Sequence, residues 1–239
     1  MTYKSIYQLF INFLFPKICH HCLRDQPYDY KYPLCPLCLK ELEYIDFPYC
    51  RICGIFLKNG GELCYDCKNS KKNNFDFCRS VFMFNPVIRT ILHDYKYRHL
   101  WKLSDWLSDL MVERLDFYKE FSEYKYLIYV PMYKRKMLER GYNQSYLLAR
   151  NISQKTDKIL LDKVLVKIKN TKSQVSLNKK ERENNLYGSF SVVNPDMIRG
   201  KKIIIIDDVA TTLSTAQELA KELKKAGADK ISVYTLCRE

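Results

Sequence analysis

The chain has 239 residues, of which 47% are hydrophobic and 28% are charged, and its formal net charge is +13. This composition is typical of a globular protein and excludes intrinsic disorder as the overall class. No stretch reaches the ~18 consecutive apolar residues that a membrane-spanning helix requires. The positive charge favours an anionic partner, which would be a nucleic acid, an acidic lipid surface or a phosphorylated substrate.

The N-terminal run from Ile6 to Phe15 is apolar, with hydrophobic residues at helical spacing. It predicts a short amphipathic helix that packs on its own protein, with a membrane-surface anchor as the alternative. Gln8 and Asn12 interrupt the run and no small-residue cleavage site follows, so we expect no signal peptide. The expected location is therefore the reducing cytoplasm.

Eight of the ten cysteines form four C-x-x-C pairs, separated by 12, 11 and 10 residues. This spacing predicts two structural four-cysteine zinc sites in a zinc-ribbon-like module, with iron–sulfur clusters and redox disulfides as alternatives. Sequential pairing closes the shorter loops, so it is favoured over a crossed arrangement. The interleaved His20 and His21 are interpreted as bystanders, and Cys78 and Cys237 as small buried residues. The predicted ligands are Cys19, Cys22, Cys35 and Cys38 at one site and Cys50, Cys53, Cys64 and Cys67 at the other.

A polar run from Lys68 to Asn74 predicts a domain boundary, with the N-terminal helix and zinc module in residues 1–74 and a second domain in residues 75–239. Beyond it strand and helix patterns alternate, which predicts an α/β fold with a mostly parallel sheet. The predicted strands are Arg79–Phe84, Tyr126–Val130, Val164–Ile168, Lys202–Ile206 and Lys230–Leu236, with Gly188–Val193 as an edge strand or hairpin arm. The predicted helices are Pro86–His99, Trp101–Phe121, Gln144–Ser153 and Thr215–Ala226, with a partly helical polar loop over Thr171–Leu186.

The segment IIIIDDVATTLSTAQ carries the clearest chemical signal. Four isoleucines predict a strand buried on both faces, and Asp207 and Asp208 follow at its carboxyl end, where open α/β sheets bind ligands. Hydroxyl side chains then stand at the start of a helix, where backbone N–H groups favour an anion. A sugar diol with an adjacent phosphate fits both halves, while a metal held by the carboxylates and simple helix capping are the alternatives. The hydroxyl residues are Thr211, Thr212, Ser214 and Thr215.

This segment resembles the phosphoribosyl pyrophosphate motif of type I phosphoribosyltransferases, and three further stretches narrow the resemblance to the ComF family. The family motif usually has glycine where this chain has Leu213, and a leucine with helical dihedrals just inside the helix would be compatible with an anion site. The three stretches share with the family Arg140, Gly141, Tyr142, Asn143 and Gln144; Gln174, Leu177, Glu181, Arg182, Asn185, Leu186, Gly188 and Phe190; and Lys96 and Tyr97.

The resemblance implies a type I phosphoribosyltransferase-like sheet and a division of roles within the site. Asp207 and Asp208 would hold the ribose hydroxyls as the catalytic pair, and residues 211–215 would hold the 5-phosphate. The basic residues Lys134, Arg135 and Arg140, expected in a loop after Val130, would bind the pyrophosphate together with Mg²⁺. The implied reaction is a glycosyltransferase reaction in which pyrophosphate leaves the anomeric carbon, and it requires positioning and charge.

The acceptor stays open, and two functions follow. One is a phosphoribosyltransferase that uses a base or nucleotide-like acceptor and takes part in DNA uptake during natural transformation. The other is a non-catalytic competence protein that binds single-stranded nucleic acid and keeps a degenerate sugar-phosphate pocket. Residues 132–202 contain 17 basic and 6 acidic side chains, which suits a phosphate backbone. The expected partners are single-stranded DNA and competence helicase or processing proteins, with Lys134, Arg135, Lys136, Arg140 and Tyr142 as nucleic-acid contacts.

Overall fold

The computed structural model describes residues 11, 16–27, 29–70, 73–171 and 185–239. The predicted N-terminal helix and most of the predicted polar loop lie outside these residues, as do Gln174, Leu177, Glu181 and Arg182 of the family segment. Within the described ranges, no helix is both long and apolar enough to cross a bilayer.

The predicted α/β architecture is confirmed. Five strands form a parallel sheet in the order β3-β9-β8-β4-β5, and two antiparallel pairs, β1-β2 and β6-β7, lie outside it. The described strands are β1 (Lys17–Ile18), β2 (Asp25–Gln26), β3 (Phe77–Met83), β4 (Tyr126–Tyr129), β5 (Ile159–Leu160), β6 (Leu165–Lys167), β7 (Phe190–Val192), β8 (Lys202–Ala210) and β9 (Lys230–Arg238). The described α-helices are α1 (Pro36–Lys40), α2 (Tyr65–Asn69), α3 (Pro86–Tyr97), α4 (Leu103–Leu115), α5 (Lys134–Arg140), α6 (Gln144–Lys155) and α7 (Ser214–Lys225), and 3₁₀ turns cover Lys119–Glu123 and Pro195–Met197.

The central strand β8 builds a core on both faces of the sheet, because successive side chains of a strand point to opposite sides. Ile204 and Ile206 pack with helices α3, α4 and α6, whereas Ile203 and Ile205 pack with α7 and the β6-β7 hairpin. All four isoleucines are fully buried. This burial explains the continuous apolar run in the sequence.

The two cysteine groups pack on opposite faces of this sheet. Cys19, Cys35 and Cys38 belong to the core on the α3 side, and Cys50 and Cys53 to the core on the α7 side. The first group contacts α3 through the His20 and Asp94 side chains, whose Nδ1 and Oδ2 atoms lie 2.7 Å apart. The second reaches β3, where the Cys78 amide donates to the Ile52 carbonyl at 2.7 Å.

Several predicted element bounds are wrong for identifiable reasons. The predicted helix Trp101–Phe121 is shorter, over Leu103–Leu115, and a separate 3₁₀ turn follows at Lys119–Glu123. The segment predicted as a strand over Val164–Ile168 does not join the sheet but pairs with β7 as a hairpin, which confirms the hairpin-arm alternative for Gly188–Val193. Strand β8 continues to Ala210, because backbone pairing with β9 extends the strand through residues of low strand propensity.

Candidate functional site

A crevice of about 640 Å³ opens between the carboxyl ends of β4 and β8. The chain leaves β4 through α6 towards β5 and leaves β8 through α7 towards β9, so the two connections run in opposite directions across the sheet. Such a reversal of strand order is where open α/β sheets bind ligands. The pairing of β4 with β8 ends at Tyr129 and Ile206, one residue before the two aspartates.

Asp207 and Asp208 both line this crevice, but they have different environments. Asp208 is 4% exposed, and its Oδ2 lies 2.5 Å from Nζ of Lys96 on α3. Asp207 is less buried, and its Oδ1 accepts hydrogen bonds from the Ser145 hydroxyl at 2.8 Å and from the Asp208 amide at 2.9 Å. The expectation that both carboxylates follow the end of the strand is wrong, since both lie inside β8.

Burial and the neighbouring charge of Asp208 raise the pKa of Asp207 to about 7. The Ser145 hydroxyl and the Lys96 ammonium oppose this shift without cancelling it. A carboxyl group whose pKa lies near 7, in a crevice large enough for a ligand, is typical of functional sites. Asp207 can therefore change its charge within the physiological pH range.

The hydroxyl-bearing segment also lines the crevice and leads into α7. The Thr212 and Ser214 hydroxyl oxygens lie 2.9 Å apart. Leu213 does not have helical dihedrals: its φ is +61° and its ψ is 10°, and the helix begins one residue later at Ser214. This left-handed conformation is the one that glycine adopts without cost, so the leucine preserves the backbone shape of a glycine loop.

Basic side chains surround the crevice, although not all of those predicted. Lys136 and Arg140 line it, whereas Lys134 and Arg135 do not, and the Arg135 side chain pairs with Glu139 at 3.0 Å on the protein surface. The predicted loop after Val130 is wrong, because residues 134–140 form α5, which ends at Gly141 with a φ of +80°. The helix turns two of the four basic residues away from the crevice.

The sequence did not predict that three further cations line the crevice: Arg89, Lys96 and Lys167. Lys96 was identified only through the family pair. Lys167 is on the β6-β7 hairpin, and burial, with Lys136 nearby, lowers its pKa to about 8. Long-range packing places Lys167 at the site, and no local pattern in the sequence predicts this position.

The Arg-Gly-Tyr-Asn-Gln segment, residues 140–144, organises the edge of the crevice. Asn143 caps α6 by accepting hydrogen bonds from the Ser145 and Tyr146 amides, and its side-chain amide donates to the Val130 carbonyl at 3.0 Å. Arg140 donates to the Gln144 side chain at 2.7 Å. Tyr142 lies outside the crevice lining, and its hydroxyl donates to the Tyr95 carbonyl. The hydroxyl of Tyr142 is thus engaged inside the protein.

The eight paired cysteines meet in two groups, in sequential order, with the sulfur atoms of each group within 4.8 Å of one another. The Sγ atoms of Cys22 and Cys35 are 3.7 Å apart, and those of Cys53 and Cys64 are 3.6 Å apart. Tetrahedral coordination at a Zn–S distance of ~2.3 Å requires sulfur atoms about 3.8 Å apart, so both groups fit Zn²⁺. A hydrogen bond from Cys53 lowers the pKa of Cys50 to about 4, whereas burial raises the pKa of Cys67, in the same group, to about 12.

Comparison with known proteins matches residues 10–68 to the double zinc ribbon domain. The chain is 29% identical to Competence protein F of Haemophilus influenzae, in an alignment that covers 92% of this chain and 96% of the relative. It is 26% identical to Competence protein ComFC of Bacillus subtilis, over 86% of this chain and 84% of the relative. The resemblance to the ComF family is confirmed.

Other ComF-like relatives have a different name. DNA utilization protein YhgH of Salmonella typhimurium is 24% identical over 86% of this chain and 96% of the relative. Among solved structures, glutamine phosphoribosylpyrophosphate amidotransferase of B. subtilis aligns with 54% of this chain and 25% of that chain, with 18% identity and a TM-score of 0.37. Purine phosphoribosyltransferase of Pyrococcus horikoshii aligns with 56% of this chain and 83% of that chain, with 17% identity and a TM-score of 0.34.

Proposed function

We propose that the crevice binds phosphoribosyl pyrophosphate with Mg²⁺, and that the chain is a cytoplasmic phosphoribosyltransferase-type protein that takes part in DNA uptake. One observation supports the proposal most strongly. The Asp207 carboxyl group, the hydroxyl-bearing loop before α7 and a set of cations all line the same crevice. Two of the relatives are named as competence proteins, which supports the biological part of the proposal.

Each part of the ligand has a matching group. Asp207 would accept hydrogen bonds from the ribose hydroxyls, because the Asp208 carboxylate already pairs with Lys96. The loop residues Thr212 and Ser214, with the N–H groups of the first turn of α7, would hold the 5-phosphate. Lys136, Arg140 and Lys167 would neutralise the pyrophosphate as it leaves, and this charge stabilisation is the chain's main chemical contribution.

Mg²⁺ fits this site only together with the substrate. Among the described residues, the groups of three or more metal-binding side chains are the two cysteine clusters, so the crevice contains no dedicated cage for the ion. Magnesium is commonly held by one or two carboxylates together with substrate phosphates. Asp207 would supply the carboxylate, since Asp208 pairs with Lys96, and the ion would add positive charge beside the leaving group.

The direct test is pyrophosphate release with a panel of acceptors: free bases, nucleotides and single-stranded DNA. We expect release that requires Mg²⁺ and one class of acceptor. Lys136→Ala should reduce it, whereas Lys134→Ala should not, because the two lysines are on the same helix and only Lys136 lines the crevice. Equal effects of the two changes would contradict the assigned role of Lys136.

A second candidate is a non-catalytic competence protein that binds single-stranded nucleic acid, with the pocket used for ligand sensing. The observation in its favour is the exposed outer face of α5, where Lys134 and Arg135 point away from the crevice and Leu138 is 85% exposed. This candidate would act with single-stranded DNA and with competence helicase or processing proteins. Ligand binding without pyrophosphate release for any acceptor would favour it over the transferase.

A further inference from the structure

Arg238, near the end of β9, joins the second cysteine group to the loop before α7. Its Nε donates to the carbonyl oxygen of Cys53 at 3.1 Å. Its Nη1 donates to the carbonyl oxygen of Ala210 at 2.9 Å and to that of Thr211. One guanidinium group therefore holds together a predicted metal-ligand residue and the start of the loop before α7. This loop, residues 211–213, is the proposed phosphate loop.

The cysteine knuckle at the other end of this bridge is fixed to the sheet. Gly54 has a φ of +70°, and a Cβ atom added there would lie 2.5 Å from the carbonyl oxygen of Cys78. The Cys78 amide also donates to the Ile52 carbonyl at 2.7 Å. Because the knuckle lies so close to β3, its carbonyl groups keep a defined position when the four thiolates are held together.

A second set of contacts links the segment just after the second cysteine group to α7. The Asn74 amide donates to Oε1 of Gln217 in α7 at 2.8 Å, and Nε2 of Gln217 donates to Oδ1 of Asn73 at 2.7 Å. Leu213 is only 9% exposed. It lies in the wall shared by the crevice and a second cavity of about 790 Å³, which borders Cys53, Cys64 and Cys67.

We propose that Arg238 is a positioning residue that couples zinc binding at the second cysteine site to the shape of the phosphate loop. Zinc holds the Cys53 carbonyl in place, the guanidinium group holds the Ala210 and Thr211 carbonyls, and the loop is thereby kept ready for an anion. Coupling between two sites is reciprocal, so a ligand on the loop should also strengthen zinc binding at this site. The readiness of the loop for an anion and the reciprocal effect rest on the proposed function, whereas the link between zinc binding and loop order does not.

The first test needs no ligand and measures hydrogen–deuterium exchange of the backbone amides of residues 211–216. We expect exchange to become about fivefold faster or more in Arg238→Gln, which should keep both zinc ions, and also in Cys64→Ser, which removes the second ion. The combined variant should add little, since both changes break the same link. Arg51→Gln is the matched control, because Arg51 lies in the same knuckle and its side chain pairs, among the described residues, with the exposed Glu62.

Unchanged loop exchange in Arg238→Gln, or an equal increase in Arg51→Gln, would overturn the coupling. Arg238→Lys adds a further check. It keeps the positive charge but has no fork of donors for several carbonyls, so it should resemble Arg238→Gln rather than the wild type. Recovery of slow exchange with lysine would show that charge alone acts at this position, which contradicts a bridging role.

The second test measures the zinc affinity of the second site by competition with a zinc-selective chelator, with and without phosphoribosyl pyrophosphate and Mg²⁺. We expect the ligand to tighten zinc binding about fivefold or more in the wild type and to leave it unchanged in Arg238→Gln. Ligand binding without any change in zinc affinity would overturn the reciprocal coupling. No ligand binding by the wild type would instead overturn the proposed function, and the exchange test would still decide the role of Arg238.

Discussion

Leu213 combines a glycine-like backbone with a buried side chain. Its φ of +61° lies in the left-handed region, which costs an ordinary residue about 1–2 kcal/mol. Burial of a leucine side chain stabilises the folded state by about 1.5–3 kcal/mol. The two effects are of similar size, and the stabilisation from burial is the larger. The substitution of leucine for the usual glycine therefore maintains the shape of the loop and adds packing.

Comparison of Leu213→Ala with Leu213→Gly separates these two effects. Alanine loses the packing and keeps the backbone cost, whereas glycine loses the packing and removes the cost. We expect urea denaturation to show Leu213→Ala destabilised by about 2–4 kcal/mol. Leu213→Gly should be more stable than Leu213→Ala by about 1 kcal/mol. Greater stability of the alanine variant would contradict the left-handed conformation.

Asp207 should make stability depend on pH. Its pKa in the folded protein is about 7, well above the value of about 3.9 for an unfolded chain. The unfolded state therefore releases this proton first as the pH rises, and the contribution of Asp207 to the free energy of unfolding falls between about pH 4 and pH 7. It stays low at higher pH.

Asp207→Asn tests this pH dependence. The free energy of unfolding should be measured by denaturant titration at several pH values for both proteins. The wild-type value minus the variant value should decrease from pH 4 to pH 7 and then become constant. A difference that stays constant over this interval would mean that folding does not raise the pKa of Asp207.

At the scale of elements, α5 decides which basic residues can reach which partner. Its seven residues place Lys136 and Arg140 at the crevice and Lys134 and Arg135 on the outer surface. The sequence prediction assigns Lys134, Arg135 and Arg140 to the pyrophosphate and all four residues to a nucleic acid. The two faces of this short helix instead separate the four: under the proposed function, the inner pair would contact the pyrophosphate and the outer pair a nucleic acid.

The outer face of α5 can be tested with single-stranded DNA at several salt concentrations. Each lost phosphate contact releases ~0.7 fewer counterions, so replacing both Lys134 and Arg135 by alanine should reduce the log–log salt slope by about 1.4. The matched control replaces Lys224 and Lys225, which are exposed at the end of α7. Equal reductions in the two double variants would indicate non-specific attraction to the whole molecule.

At the scale of the whole molecule, the two zinc sites lie in a segment with a small core: among its described residues between 16 and 70, the buried apolar side chains other than cysteine are Leu34, Leu42 and Ile45. Purified protein should contain about two zinc ions per chain by elemental analysis, because each cysteine group supplies a complete four-sulfur shell. Cys22→Ser and Cys64→Ser should each remove about one ion. A metal content near zero in protein that is folded over residues 16–70 would contradict zinc at both sites.

Local patterns in the sequence predicted the sheet strands around β8, the cysteine pairs and the start of α7, because hydrophobic periodicity and ligand spacing are local signals. They did not predict that Asp208 pairs with Lys96, that the β6-β7 hairpin brings Lys167 to the crevice, or that Arg238 reaches Cys53. Each of these contacts joins residues far apart in the chain. The left-handed Leu213 was missed for another reason, since leucine rarely adopts that conformation.

The central claim is that the crevice at the ends of β4 and β8 binds phosphoribosyl pyrophosphate through Asp207 and the loop before α7. Calorimetric titration of phosphoribosyl pyrophosphate with Mg²⁺ at pH 8, where Asp207 is ionised, measures this directly in the wild type and in Asp207→Asn. Charge-assisted hydrogen bonds are worth about 1.5–3 kcal/mol, so one molecule should bind per chain, and the variant should bind about tenfold more weakly or worse. No binding by the wild type at millimolar ligand, or equal affinity in the variant, would contradict the claim.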